Sequence, residues 1–128
     1  MRSLTAEGYT WSAEDGLEPY PYRIYRNAGR QLWRFPIADD DWCYEQDRLS
    51  PQAVLQRWKS RIRQARASQN YVAIGFHPWV EAPEERLAVL EEFFSWLCEE
   101  DDLQLMPFGD VLNTIRQFDE SAFTGTNE

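Results

Sequence analysis

The chain has 128 residues, is 43% hydrophobic and 15% aromatic, and carries 22 acidic against 13 basic residues, a formal net charge of −9. That apolar content excludes a disordered chain, and the length bounds the protein to one domain. The acidic balance excludes a nucleic-acid partner and, in the same way, an anionic membrane surface, since both need clustered Lys and Arg.

No segment reaches the roughly 20 apolar residues of a membrane span. The opening MRSLTAEGYTW lacks the apolar centre of a secretory signal. Cys43 and Cys98 lie far apart and form no metal-type spacing. They read as free thiols of a cytoplasmic protein, in preference to a disulfide.

In chain order, EDGLEPYPYRIYRNAG reads as a long loop with turn signals at Gly16, Pro19, Pro21 and Asn27 to Gly29. QLWRFPI (31–37) is a short apolar and aromatic strand, closed by the acidic run ADDDW. Ser50 then offers an N-cap and Pro51 a first helical position. Val54, Leu55, Trp58, Ile62 and Ala65 recur at helical spacing, which predicts one buried face. NYVAIGF is an apolar run of strand length, of the kind found in buried parallel strands. Pro83 opens a second long helix, with Glu84 and Glu85 where the helix dipole favours negative charge. Leu87, Leu90, Phe94 and Leu97 form its main stripe, flanked by Val89, Phe93 and Trp96. LQLMPF (103–108) reads as a third strand, GDVLNTIRQF as a shorter last helix, and residues 119–128 as a frayed tail. Strands alternating with crossover helices imply a parallel α/β sheet, whose chemistry gathers at the carboxyl ends of the strands.

Two features fall at such ends. His77, the single histidine, leaves the strand at 71–76. An imidazole there suits a general acid or base, and equally a strand-exit residue hydrogen-bonded to backbone. Asp39, Asp40 and Asp41 close the neighbouring strand and could supply the carboxylate that fixes its tautomer. Three consecutive aspartates cannot all face one cation, and one histidine without clustered cysteines does not make a catalytic zinc site. No G-x-S-x-G, phosphate loop or dinucleotide fingerprint occurs.

The run VAIGFHPW, followed by APEERLAVLEEFFSWLCEEDDLQLMPFGDVL, resembles the closing portion of the polysaccharide deacetylase homology domain. Leu-Trp-Arg-Phe-Pro before DDDW resembles the strand and acidic motif just upstream in that family, and AEGYTWSAEDG a mid-domain strand. The resemblance spans about Leu4 to Phe118. It implies the C-terminal half of a distorted (β/α) barrel over residues 1–118, with three to four parallel strands and outer helices.

It also implies removal of N-acetyl groups from a carbohydrate, or hydrolysis of a related small amide, by a zinc- or other divalent-metal-dependent enzyme. His77 matches the family's late histidine, the proton donor to the leaving group. Asp41, beside Trp42, matches the aspartate that tunes it, although Ala38 stands where the wider D-x-x-D-W pattern has its first aspartate. Trp79 and Trp42 would wall the substrate pocket. The family's metal-binding motifs have no counterpart here, so no metal is assigned to this chain. An upstream half-barrel polypeptide or a second copy of the chain is the expected protein partner. The other reading is a non-catalytic carbohydrate-binding or assembly module of the same fold, with the aromatics of EPYPYRIY and Trp79 stacking on sugar rings.

Overall fold

The computed structural model describes residues 9–14, 16, 18–27, 30–68 and 70–126. Residues 1–8 at the start of the resemblance, Ala28 and Gly29 of the expected turn, and the last two residues of the expected tail lie outside them. Among the described residues the architecture is mixed α/β, with five helices and two small sheets. The strands are β1 (Trp11–Glu14), β2 (Tyr22–Asn27), β3 (Arg30–Pro36), β4 (Asp39–Asp40) and β5 (Ile74–Gly75). The helices are α1 (Cys43–Gln46), α2 (Pro51–Ser68), α3 (Pro78–Glu81), α4 (Glu84–Glu99) and α5 (Phe108–Thr126).

One extended segment, 30–41, organises both sheets. Its first part, β3, lies between β1, which it pairs in parallel, and β2, which it pairs antiparallel. Ile37 N–H then donates to Glu14 O at 3.0 Å, and Ala38 N–H to Ala73 O at 2.9 Å. Successive N–H groups of an extended chain point to opposite edges, so the segment keeps β1 on one edge and takes up β5 on the other. The parallel ladder continues with Asp39 opposite Ile74 and Asp40 opposite Gly75, and with Asp41 N–H on Gly75 O at 3.1 Å.

This corrects the expectation of a parallel-only sheet and of a loop across the first third. Tyr22–Asn27 has β-prone residues, and the short link to Arg30 permits only a hairpin. Pro19 and Pro21 precede that strand and interrupt nothing. Gly16 sits so close to the end of β3 that a Cβ there would lie 2.9 Å from Pro36 Cβ.

The expected buried strand at 71–76 is two residues long and half-buried throughout, because β5 is paired along one edge only. The expected strand at 103–108 does not form. Leu105 is 61% exposed, and Pro107 O accepts the N–H groups of Asp110 and Val111 at 3.1 Å to start α5. That helix continues to Thr126.

Helix α2 forms as its sequence predicts. Ser50 Oγ accepts Ala53 N–H at 3.2 Å, Pro51 opens the helix, and Val54, Leu55, Trp58, Ile62 and Ala65 are all buried. Past its end, Asn70 takes φ 57°, a left-handed conformation that Asn tolerates better than most residues. On α4 the buried stripe is Val89, Phe93 and Leu97. Leu87 and Phe94 of the expected main stripe are exposed, because α4 turns its other stripe toward its neighbours α2 and α3.

Two apolar clusters result. The larger joins Cys43, Tyr44, Val54, Leu55, Trp58, Ile62, Val80, Val89, Phe93 and Leu97. Trp58 sits at its centre, edge-on to Phe76 with ring centroids 5.1 Å apart and against Phe93 at 5.4 Å. The smaller cluster is Trp33, Phe35 and Leu112, with Tyr71 and Phe108 packed on it. Segment 30–41 thus begins over the smaller cluster and ends beside the larger one.

Candidate functional site

His77 leaves β5 in an extended conformation (φ −119°, ψ 126°) and caps α3, with Pro78 at the first helical position. Its carbonyl accepts Val80 N–H at 3.0 Å and Glu81 N–H at 3.1 Å. Its own N–H donates to Asp41 Oδ2 at 2.6 Å, and its ring Nδ1 meets Asp41 Oδ1 at 2.5 Å. Backbone and ring are therefore fixed by one carboxylate.

Asp41 follows β4 and is fully buried, at 0% exposure. Its N–H lies on the parallel ladder, and its carbonyl accepts Tyr44 N–H at 3.2 Å, so the strand end and α1 set its orientation. An ionised carboxylate can only accept hydrogen bonds. The ring proton therefore sits on Nδ1, which leaves Nε2 as the working nitrogen of a side chain 29% exposed. The indoles of Trp42 and Trp79 border the ring, with centroids 5.5 Å and 5.1 Å away. Trp79 is 68% exposed.

All four residues singled out from the sequence, His77, Asp41, Trp42 and Trp79, converge in one place. The other two aspartates do not reach His77. Asp39 accepts a two-pronged contact from Arg57, Nε at 2.7 Å and Nη2 at 2.9 Å, and a third bond from Arg61 Nε at 3.2 Å. Asp40 Oδ1 accepts Trp42 N–H at 3.0 Å. Each member of the acidic run is thus bound to protein. Among the described residues, no three of His, Cys, Asp and Glu gather where they could hold a metal ion. Of the aromatics in EPYPYRIY, Tyr20 is exposed and Tyr22 half-buried. The Tyr25 side chain lies outside the described residues.

Sequence reasoning missed Glu81. It closes α3, four residues beyond His77, and its side chain lies beside Asp41. Its side chain is buried (4% exposed), and neither carboxylate oxygen has a hydrogen-bond partner. Burial first, and the negative charge of Asp41 second, push its carboxyl up to about 7, while Arg86 pulls the other way. Arg86 spans this region, with Nη1 donating to Val80 O and to Glu45 Oε1 at 3.0 Å each. Its guanidinium lies 4.4 Å over the Tyr44 ring. Burial and the nearby Glu81 charge raise the Tyr44 phenol above its ordinary range.

No family model, curated protein or solved structure matches this chain.

Proposed function

We propose that this chain supplies the proton-donor side of a polysaccharide deacetylase-like amide hydrolase that removes N-acetyl groups from a carbohydrate. The observation that carries the reading is the imidazole at a parallel strand end, held through Nδ1 by a fully buried aspartate and bordered by two indoles. Such a ring presents Nε2 to solvent as a general acid for a departing amine. Trp79 and Trp42 offer apolar faces to a sugar or acyl group beside it.

Asp39, Asp40 and Asp41 do not fit a metal site, because each is committed to an arginine, a backbone N–H or His77. The zinc or other divalent ion of the reading, and the groups that activate water, would then belong to protein outside these residues. Alone, the chain would be inactive. The parallel pairings of β1 with β3 and β4 with β5 support half of a (β/α) barrel. Edge strands β1 and β5, with exposed Leu87 and Phe94, support an upstream half or a second copy as the covering partner.

No described helix is long and apolar enough to cross a membrane. Cytoplasmic residence is part of the proposal, supported by two unpaired thiols, Cys43 and Cys98. The exposure of Trp79 favours a second reading, a carbohydrate-binding module without catalysis.

Complementation separates the two. The chain is mixed with a polypeptide carrying the metal-binding half of a deacetylase domain, and release of acetate from an N-acetylglucosamine oligomer is measured. Activity that appears with the wild-type chain and disappears with His77→Ala supports the enzyme reading. Restored activity that survives His77→Ala removes the acid role, and oligomer binding that needs Trp79 without any hydrolysis supports the module.

A further inference from the structure

Glu81 presents a problem that the His77–Asp41 pair does not explain. A carboxylate out of water needs donors, and this one has none. Among the described residues, the charged or titratable groups around it can be named. From its own helix and the strand exit comes His77, which already gives both its N–H groups to Asp41. From the end of β4 comes Asp41 itself, close enough that a proton on Glu81 makes a hydrogen bond between the two side chains. From α4 comes Arg86, whose Nη1 is occupied by Val80 O and Glu45. From α1 comes the Tyr44 phenol, which is likewise buried without a partner. Two ionised carboxylates side by side cannot bond to each other, whereas a carboxylic acid beside a carboxylate can.

We propose that Glu81 is a positioning residue of this site, a neutral carboxylic acid that donates a hydrogen bond to Asp41 and so holds both Asp41 oxygens toward His77. The three side chains then form one line, Glu81 to Asp41 to Nδ1 of His77, in which two buried carboxyl groups share a single proton. Loss of that proton to solvent places a second negative charge behind Asp41. Among the described residues Arg86 opposes it, and the added charge is passed through Asp41 to the His77 contact. The proton on Glu81 is therefore felt at the His77 ring through Asp41. The inference needs the His77–Asp41 contact but not amide hydrolysis, so a failed complementation assay leaves it standing.

The test is nuclear magnetic resonance of the full chain, where the single histidine makes the imidazole nitrogens unambiguous. The carboxyl carbon of Glu81, assigned by its disappearance in Glu81→Gln, should titrate near 7, apart from the other glutamates. The His77 nitrogen shifts should differ between wild type and Glu81→Gln above that window, where only the wild type carries the Glu81 charge, and agree below it. Because Gln keeps an N–H donor for Asp41, the Nδ1–H tautomer should persist in Glu81→Gln and weaken in Glu81→Leu. A Glu81 carbon titrating in the ordinary glutamate range would overturn the proposal. So would His77 nitrogen profiles that coincide in wild type and Glu81→Gln, and this comparison stands even where Glu81→Leu does not fold.

Discussion

The proton on Glu81 has a thermodynamic signature that can be read without any substrate. Burial and the neighbouring Asp41 raise its carboxyl from 4.5 to about 7, so between those two values the folded chain holds a proton that the unfolded chain releases. An acid raised in this way contributes its full stabilisation below the unfolded value and loses it as pH rises through the folded one. A shift of this size corresponds to about 3 kcal/mol, of which about 2.5 kcal/mol falls between pH ~5 and pH ~8. Glu81→Gln keeps the shape and a donor for Asp41 but does not titrate. Urea unfolding of both proteins, followed by tryptophan fluorescence across that range, compares them directly. Taking the difference cancels the acidic groups common to both. The expected result is a wild-type protein that loses about 2–3 kcal/mol relative to the variant on going to the alkaline end. Parallel stability profiles would refute a buried, protonated Glu81.

Asp41→Asn removes one of two acceptors, so either the His77 N–H or Nδ1–H must face an amide NH2. Thermal unfolding should show a loss of about 2–3 kcal/mol, and the imidazole should move toward the Nε2–H tautomer. Arg57→Ala leaves the buried Asp39 carboxylate, whose side chain is 3% exposed, with only the longer Arg61 contact and the Asp40 N–H. Denaturant unfolding should report a cost of about 2–4 kcal/mol, against about 1 kcal/mol or less for Arg61→Ala. Burial pushes the Cys43 thiol up to about 11, whereas Cys98 is exposed. A thiol reagent at mildly alkaline pH should therefore label Cys98 first and Cys43 only on unfolding, and equal rates would contradict the packing around α1.

Where one side of the chain decides its own structure, the sequence was legible. The serine–proline start and helical spacing of α2 fixed both its boundary and its buried face, because capping and periodicity are local. The parallel neighbourhood of the ADDDW and FHPW segments followed from the helix between them, since a crossover of that length joins parallel strands. The meeting of Asp41 with His77 was within reach for the same reason.

What escaped depended on what lies across a gap. The hairpin of β2 was hidden behind Pro19 and Pro21, which read as loop although they lie outside the strand. The run at 103–108 has the composition of a strand but pairs with neither open edge and leads straight into α5. On α4 two stripes were equally apolar, and only the positions of α2 and α3 chose Val89, Phe93 and Leu97 over Leu87 and Phe94. Glu81 was missed because a glutamate after a proline–tryptophan turn looks like ordinary surface charge, and nothing local announces that it is sealed in.

The acidic run has one more consequence. Asp39, Asp40 and Asp41 are chemically identical and adjacent, yet one clamps two guanidiniums, one braces a backbone amide and one grips the imidazole. Sliding the chain by a single position would still deliver an aspartate to two of those three posts, with every alternate side chain turned to the wrong face. Charge alone cannot hold the alignment. That task falls to the bulky neighbours at either end, Phe35 and Pro36 before the run and Cys43 and Tyr44 after it, all of them buried. The accuracy of the proton-handling centre is thus enforced by hydrocarbon and ring packing at its borders, and enlarging or shrinking those borders should misalign the centre without touching a single ionisable atom.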